Sequence, residues 1–434
     1  MLKRTLKRLS SKISREYLER LIRPAIILGG GNVGAAVLNF MCVAVASASL
    51  GIDLFGKFVI IQTTVLILES LFKFPTWQPI IYFYNQAEKK DIRALLDKSY
   101  SVEGLTSIIS FLFFLFYVLF LSRFFNLRFA EEGIIYGILL LFKINGPSIA
   151  VFRIFNEFKF LSYTKLASSA LKLILYLWIA AYSSSLFNFI LALTFVGFVE
   201  QFLLFIFSRT VLKSLTVPLS FKFISPASIF RDKPFVKYLF ITNLHVSVKV
   251  IIKHLDIIVI SYVLGDAGAG LLKIVKNFGI VFKQLIDPLF QVLFPFIASS
   301  TDDRKKVIGI MVKPMKYLGL FCAVFTGLFV ILGQFTIDLF FGEEYLVVFW
   351  PTVVFLLAAS IEVITISFHP TLLSYNKPGL SLKILSLTSV AYFGAILGLA
   401  PSLGVMGVSI SYLIFYIAWS IIMYYSIKKL LSNG

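Results

Sequence analysis

Apolar blocks of about 20 residues, repeated along the whole chain, constrain this sequence more than any motif does. A helix needs about 20 residues to cross ~30 Å of hydrocarbon, and a soluble core of this length could not enclose so much apolar surface. Of 434 residues, 59% are hydrophobic and only 15% are charged, whereas soluble domains run near half apolar and about a quarter charged. The run Ile108–Phe120 contains no charge, proline or glycine. The expected fold class is an all-α integral membrane protein.

The hydropathy pattern predicts twelve spans, near 24–48, 56–84, 104–122, 133–152, 161–182, 186–208, 238–264, 268–298, 312–335, 345–369, 381–400 and 405–426. Basic residues test that order, because Lys and Arg favour the cytoplasmic side of short loops. With both termini inside, the inside segments hold 30 Lys and Arg, while the outside loops hold three (Lys57, Arg123, Arg128) together with seven acids. The formal net charge of +19 is thus a topology signal, and no nucleic-acid partner is implied. Residues 1–23 carry eight basic residues and lead into the first span without a convincing cleavage site. Their three- and four-residue leucine spacing fits either a helix on the membrane surface or a basic tail. The two cysteines imply no disulfide framework and the three histidines have no metal-ligand spacing, so no metal is expected.

The longest stretch between spans, 209–237, is basic, contains three prolines and lies near the middle of the chain. It divides a basic cytoplasmic segment (1–23) and a first lobe (24–208) from a second lobe (238–426) and a cytoplasmic tail (427–434). The halves repeat. LGIDLFG at 50–56 matches LGDAGAG at 264–270 at an offset of 214, each between two spans. Pro75 and Pro79 in span 2 correspond to Pro288 and Pro295 in span 8 and are expected to kink those helices. Six spans per half, both halves starting inside, make two six-helix lobes related by a parallel repeat.

Charged residues within spans are expensive and usually face a bundle interior or a watery cavity. At 100° per residue, Lys273, Lys276, Lys283 and Asp287 of span 8 fall within an arc of about 80°. Lys249, Lys253 and Asp256 with His245 do the same on span 7; Gln62, Glu69 and Lys73 share a face of span 2, and Asn32 and Asn39 a face of span 1. The offset of 214 carries Gln62 to Lys276, Glu69 to Lys283, Lys73 to Asp287 and Asn39 to Lys253. The equivalent faces should meet in a polar gap with six lysines against three acids in spans 2, 7 and 8. Lys143, Lys172, Glu200 and Glu362 also fall within spans. Pairs such as Glu69–Lys73 and Lys283–Asp287, at i,i+4, could instead neutralise one another locally. The lysine surplus favours a wet cavity that receives an anion.

The two six-helix halves, the LG-x4-G motif after spans 1 and 7, and the stretch 255–298 together resemble the polysaccharide-exporter branch of the MOP superfamily, which includes Wzx-type O-antigen and capsule repeat-unit flippases. The resemblance implies V-shaped lobes around a central cavity. It also implies an undecaprenyl-pyrophosphate-linked oligosaccharide as cargo, moved to the outer leaflet of a bacterial plasma membrane by alternating access. For such cargo the expected contacts are Lys249, Lys253, Lys273, Lys276, Lys283, Lys73 and Asn39, with Glu69, Asp256 and Asp287 in charge-pairing or ion-coupling roles. Membrane lipids and other polysaccharide-assembly proteins are the expected partners.

Two other functions are weighed against this one. A multidrug exporter of the same superfamily should carry a surplus of acids in its cavity. A membrane-embedded polymerase or ligase should carry Arg or His on a large external loop, and the external loops here are short and acidic. The lipid II flippase branch has two further spans, for which residues 428–434 leave no room. GGGNVG at 29–34 satisfies a dinucleotide pattern formally but opens a membrane span, where small residues serve helix packing. No cofactor or ATP-binding loop is expected; the coupling ion, H+ or Na+, is left open. Sugar recognition would use Asn, Gln and aromatic side chains, and among 47 Phe and 19 Tyr no subset stands out.

Overall fold

The computed structural model describes residues 2–86, 91–121, 130–215, 222–286, 297, 303–375 and 377–433, with the side chains of 2–28, 121, 130, 245, 249, 252, 306, 378 and 433 not described. In chain order the helices are α1 (Leu2–Phe72), α2 (Trp77–Gln86), α3 (Ile92–Phe116), α4 (Ala130–Gly137), α5 (Leu139–Phe142), α6 (Gly146–Ile154), α7 (Phe158–Tyr182) and α8 (Leu186–Ser214). A short α9 (Pro226–Arg231) precedes α10 (Lys233–Gln284), α11 (Arg304–Phe341), α12 (Phe349–Ile364), α13 (Phe368–Ser374), α14 (Pro378–Leu403) and α15 (Val405–Asn433). No strand is present among the described residues.

Among the described residues nine helices are long and apolar enough to cross a membrane, or ten if the bent pair Glu131–Phe142 and Gly146–Ile154, meeting at 45°, is one span. Two of the nine are folded in the middle. Helical dihedrals fail at Gly51 (φ 70°, ψ 170°) in α1 and at Gly265 (φ 74°, ψ −171°) in α10. These are the glycines of the repeated LG motif, and a positive φ is open to glycine without the steric cost a side chain would meet. Each of these two helices thus has two arms, one on either side of its glycine.

The N-terminal residues from Leu2 belong to the same helix as the first span. Large apolar side chains such as Leu112, Phe202, Leu320 and Ile331 lie exposed on the outside, the surface that meets lipid. The largest buried cluster combines residues of both lobes, including Phe55, Phe58 and Phe189 with Leu272, Phe278 and Phe341.

Helix 2 of the sequence reading breaks at residues 73–76 and resumes as α2. Pro75 sits in the break. Pro79 sits in the first turn of α2, where an amide has no helical acceptor in any case, so its missing N–H costs little. Pro288 and Pro295 lie outside the described residues. A buried carboxylate, Glu103 of α3, holds this break to the one in the next crossing. Its Oε1 accepts from the Thr76 amide and hydroxyl, both at 2.7 Å, and its Oε2 accepts from the Gly146 amide at 3.0 Å. The expected third span, 104–122, starts one residue too late to have counted Glu103 among the charges inside the membrane.

The connection between lobes is tied to α3. The Lys222 amide donates to Asp97 at 3.1 Å and the Ile224 amide to Ser101 at 2.9 Å, and Lys98 pairs with Asp232, which caps α10 through the Phe235 amide. Partial burial opposes ionisation of Asp232, but hydrogen bonds from Lys98 and the Phe235 amide outweigh it and hold the carboxyl below its usual range.

Candidate functional site: a cationic cavity between the lobes

A cavity of about 500 Å³ lies between α1, α7 and α8 of the first lobe and the second arm of α10. Helical periodicity aims the lining. Asn32, Ala35, Asn39 and Cys42 share one face of α1; Lys165, Ser168, Ser169, Lys172 and Tyr176 share one face of α7; and Lys273, Asn277, Ile280 and Gln284 share one face of α10. Phe55, Phe58 and Tyr176 close the end nearer the glycine elbows, where Phe58, Tyr176 and Phe189 meet edge to face with centroids 4.9–6.5 Å apart.

The lining contains four lysines and one acid: Lys143, Lys165, Lys172 and Lys273 against Glu200. Lys143 is committed to Glu69 at 2.6 Å. The other three lysines have no carboxylate oxygen within 4 Å among the described residues, and feel Glu200 (Lys165, Lys172) or Asp256 (Lys273) only from farther away. Lys165 donates to the Asn32 amide oxygen at 2.8 Å, and Lys172 donates to that of Asn39, whose own amide nitrogen donates to Ser169 at 3.0 Å. Three amide atoms of the lining, Gln201 Oε1 on α8 and Asn277 Nδ2 and Gln284 Oε1 on α10, are buried with no partner among the described residues. Buried polar groups are nearly always hydrogen-bonded, so these atoms are placed for water or a ligand.

The expected site residues divide between this cavity and ion pairs. Asn39 and Lys273 line the cavity. Lys276 does not: it donates to both carboxylate oxygens of Asp256, at 2.8 and 2.7 Å, and to the Lys253 carbonyl at 2.7 Å, while Tyr392 donates to Asp256 at 3.0 Å. Lys283 pairs with Glu362 of α12, donates to Tyr412 at 3.0 Å and lies over the Tyr412 and Tyr416 rings. Lys73, 3% exposed, lies 3.5 Å from Glu69, the i,i+4 pair foreseen from the sequence. The Lys253 side chain is exposed. The Lys249 side chain and Asp287 lie outside the described residues.

Of the six lysines expected in the gap, Lys73, Lys276 and Lys283 have local carboxylates and Lys273 lines the cavity, where Lys143, Lys165 and Lys172 join it. Lys143 and Lys172 are recognisable in the sequence as charges within spans, but they stand outside the four stripes. Lys165 lies four residues inside the expected span 161–182 but is counted there with the cytoplasmic-side basic residues. A wall built mainly from the first lobe explains the difference: symmetry between halves points to spans 2, 7 and 8, while the structure builds the cavity on α7 and α8.

Long apolar helices packed around a cationic cavity define a multi-pass, all-helical membrane protein. The chain belongs to the polysaccharide biosynthesis protein family, whose sequence profile matches residues 55–350. Solved structures share the fold. The lipid II flippase MurJ in an inward closed conformation superposes with a TM-score of 0.74 at 14% identity, covering 93% of this chain and 87% of that one. An inward-facing multidrug resistance MATE family transporter of the MOP superfamily gives 0.66 at 13% identity, covering 96% and 98%. A MOP superfamily transporter from Pyrococcus furiosus, described as having a binding pocket of reverse polarity, gives 0.59 at 12% identity, covering 95% and 96%. No curated protein matches the sequence significantly.

Proposed function

We propose that this protein is a flippase that carries an undecaprenyl-pyrophosphate-linked oligosaccharide from the cytoplasmic to the outer leaflet of a bacterial plasma membrane, for polysaccharide assembly. One observation carries the reading: Lys165, Lys172 and Lys273 line one cavity with no carboxylate oxygen within 4 Å among the described residues, and Glu200 is the one acid in the described lining. Uncompensated charge is costly in a dry bundle, and in a low-dielectric setting such charges attract an anion far more strongly than in water. A pyrophosphate supplies that charge. Asn32, Asn39 and the amides of Gln201, Asn277 and Gln284 supply donors and acceptors around it. Asp256 and Glu69 hold Lys276, Lys73 and Lys143 in place.

Membership of a polysaccharide-biosynthesis family and the likeness to a lipid II flippase both support cargo of this class. A small-cation exporter fits less well, because Glu200 is the one acid in the described lining. We assign the protein transport without covalent chemistry. Deleting the gene in its host should leave lipid-linked repeat units accumulating on the cytoplasmic leaflet. Unchanged levels of those lipids on both leaflets would contradict the assignment.

A further inference from the structure

A second concavity lies at the seam of the lobes, at the end of the molecule away from the glycine elbows. It is a groove of about 590 Å³ walled by Trp77, Gln78, Tyr82, Asn85 and Gln86 of α2, with Tyr238 from the start of α10. Tyr82 is 31 residues beyond Gly51 and Tyr238 is 27 before Gly265, which at ~1.5 Å per residue sets the groove about 40 Å from the elbows.

Its chemistry differs from that of the cationic cavity. Among the described residues no charged side chain lines it. Tyr82 and Tyr238 stack face to face, with centroids 4.3 Å apart and ring planes inclined by 20°. The Arg153 guanidinium packs 4.0 Å from the Trp77 ring centroid and stiffens it. Gln78, Tyr82 and Asn85 fall at i, i+4 and i+7 on one face of α2, so the amides stand beside the rings. Neither Gln78, Asn85 nor Gln86 has a side-chain hydrogen bond among the described residues.

We propose that this groove binds an uncharged pyranose of the cargo's glycan. A pyranose has an apolar C–H face flanked by hydroxyls that both donate and accept. Aromatic faces suit the first, and carboxamides, which offer donors and an acceptor in one group, suit the second. Because Tyr82 and Tyr238 belong to opposite lobes, a sugar seated here touches both halves and favours the arrangement in which these ends are together. The inference deepens the flippase reading and rests on it for the lipid that carries the glycan, but sugar binding itself can be measured without that lipid.

The test uses full-length protein in nanodiscs with Trp178, Trp350 and Trp419 replaced by Phe, so that Trp77 is the sole fluorescent tryptophan. Chitotriose, maltotriose and mannotriose are titrated in turn. At least one should quench Trp77 saturably; Tyr82→Ala and Asn85→Ala should each weaken that response roughly tenfold, Tyr82→Phe should preserve it, and Lys172→Gln should leave it unchanged. Equilibrium dialysis of the same sugars against the protein with all four tryptophans covers failure of the substituted background to fold. No saturable binding of any of the three sugars, or equal binding by the Tyr82→Ala and Asn85→Ala variants, overturns the proposal. Failure of the flippase reading shows separately, as loss of pyrophosphate-lipid binding with sugar binding intact.

Discussion

Gly56 and Gly270 face one another where the two lobes touch, with the Gly56 amide nitrogen 3.1 Å from the position a β-carbon on Gly270 would take. The contact is reciprocal. A β-carbon on Gly56 would lie 1.8 Å from the Asp266 carbonyl oxygen, and one on Gly270 would lie 3.0 Å from that of Ile52. Both pairs are related by the offset of 214 that relates the halves of the sequence. The LG-x4-G repeat thus encodes two things at once: the first glycine turns the helix, and the last lets backbone meet backbone.

Gly56→Ala should consequently hold the elbow ends apart, since the obstacle is backbone and cannot rotate away. We expect transport to fall roughly tenfold or more, equivalent to ~1.4 kcal/mol. A cysteine at position 47, where Ser47 is 0% exposed and its carbonyl accepts from Tyr345 at 2.9 Å, should become open to aqueous thiol reagents. Gly270→Ala should have a milder effect, because its clash is less severe. Equal, wild-type flux and labelling in both variants would contradict the elbow contact.

Lys276 and Asp256 form a buried pair, with side chains 11% and 3% exposed. Removing one partner strands the other, a loss of about 3–5 kcal/mol for buried pairs. Lys276→Met should therefore lower the melting temperature in detergent sharply, and adding Asp256→Asn should recover much of the loss. If Lys276→Met melts like the wild type, the pair does not stabilise the fold.

The two lobes use the same helix contact with reversed charge. In the first lobe a carboxylate on α1, Glu69, meets a lysine at the break between α5 and α6, Lys143; in the second a lysine on α10, Lys283, meets a carboxylate on α12, Glu362. Glu69 and Lys283 are equivalent under the offset of 214. Since one polarity works in each lobe, Lys283→Glu combined with Glu362→Lys should retain more folded, active protein than either single change. Size-exclusion yield and flux would both report it. A double variant no better than the worse single variant would mean that the tyrosines around Lys283, rather than the pair itself, fix the polarity.

Much of this architecture was legible in the residues. Apolar block length marked the long helices, and LGIDLFG with LGDAGAG located both folded ones. Charge pairing was harder to read. Lys276 and Asp256 stand 20 residues apart on two arms of one folded helix, and Lys283 meets an acid 79 positions away; periodicity places a charge on a face but does not say what that face meets. The same limit hid the cavity lysines. Lys172 shares a face of α7 with Lys165, seven residues earlier, but the sequence does not say what that face meets; packing of α7 on α1 brings it beside Asn39, with Lys273 lining the same cavity. The aromatic groove was equally hidden, because its rings come from two lobes 156 residues apart.

The most direct test of the central claim is the affinity of the purified protein in nanodiscs for undecaprenyl pyrophosphate, with undecaprenol as the uncharged control. Binding should require the pyrophosphate, and Lys172→Gln and Lys273→Gln should each weaken it by about 10- to 100-fold, the loss of one hydrogen bond to a charged group worth ~1.5–3 kcal/mol. Equal affinity for the two lipids, or an unchanged affinity when both lysines are replaced, would contradict a cavity built to hold a phosphorylated lipid.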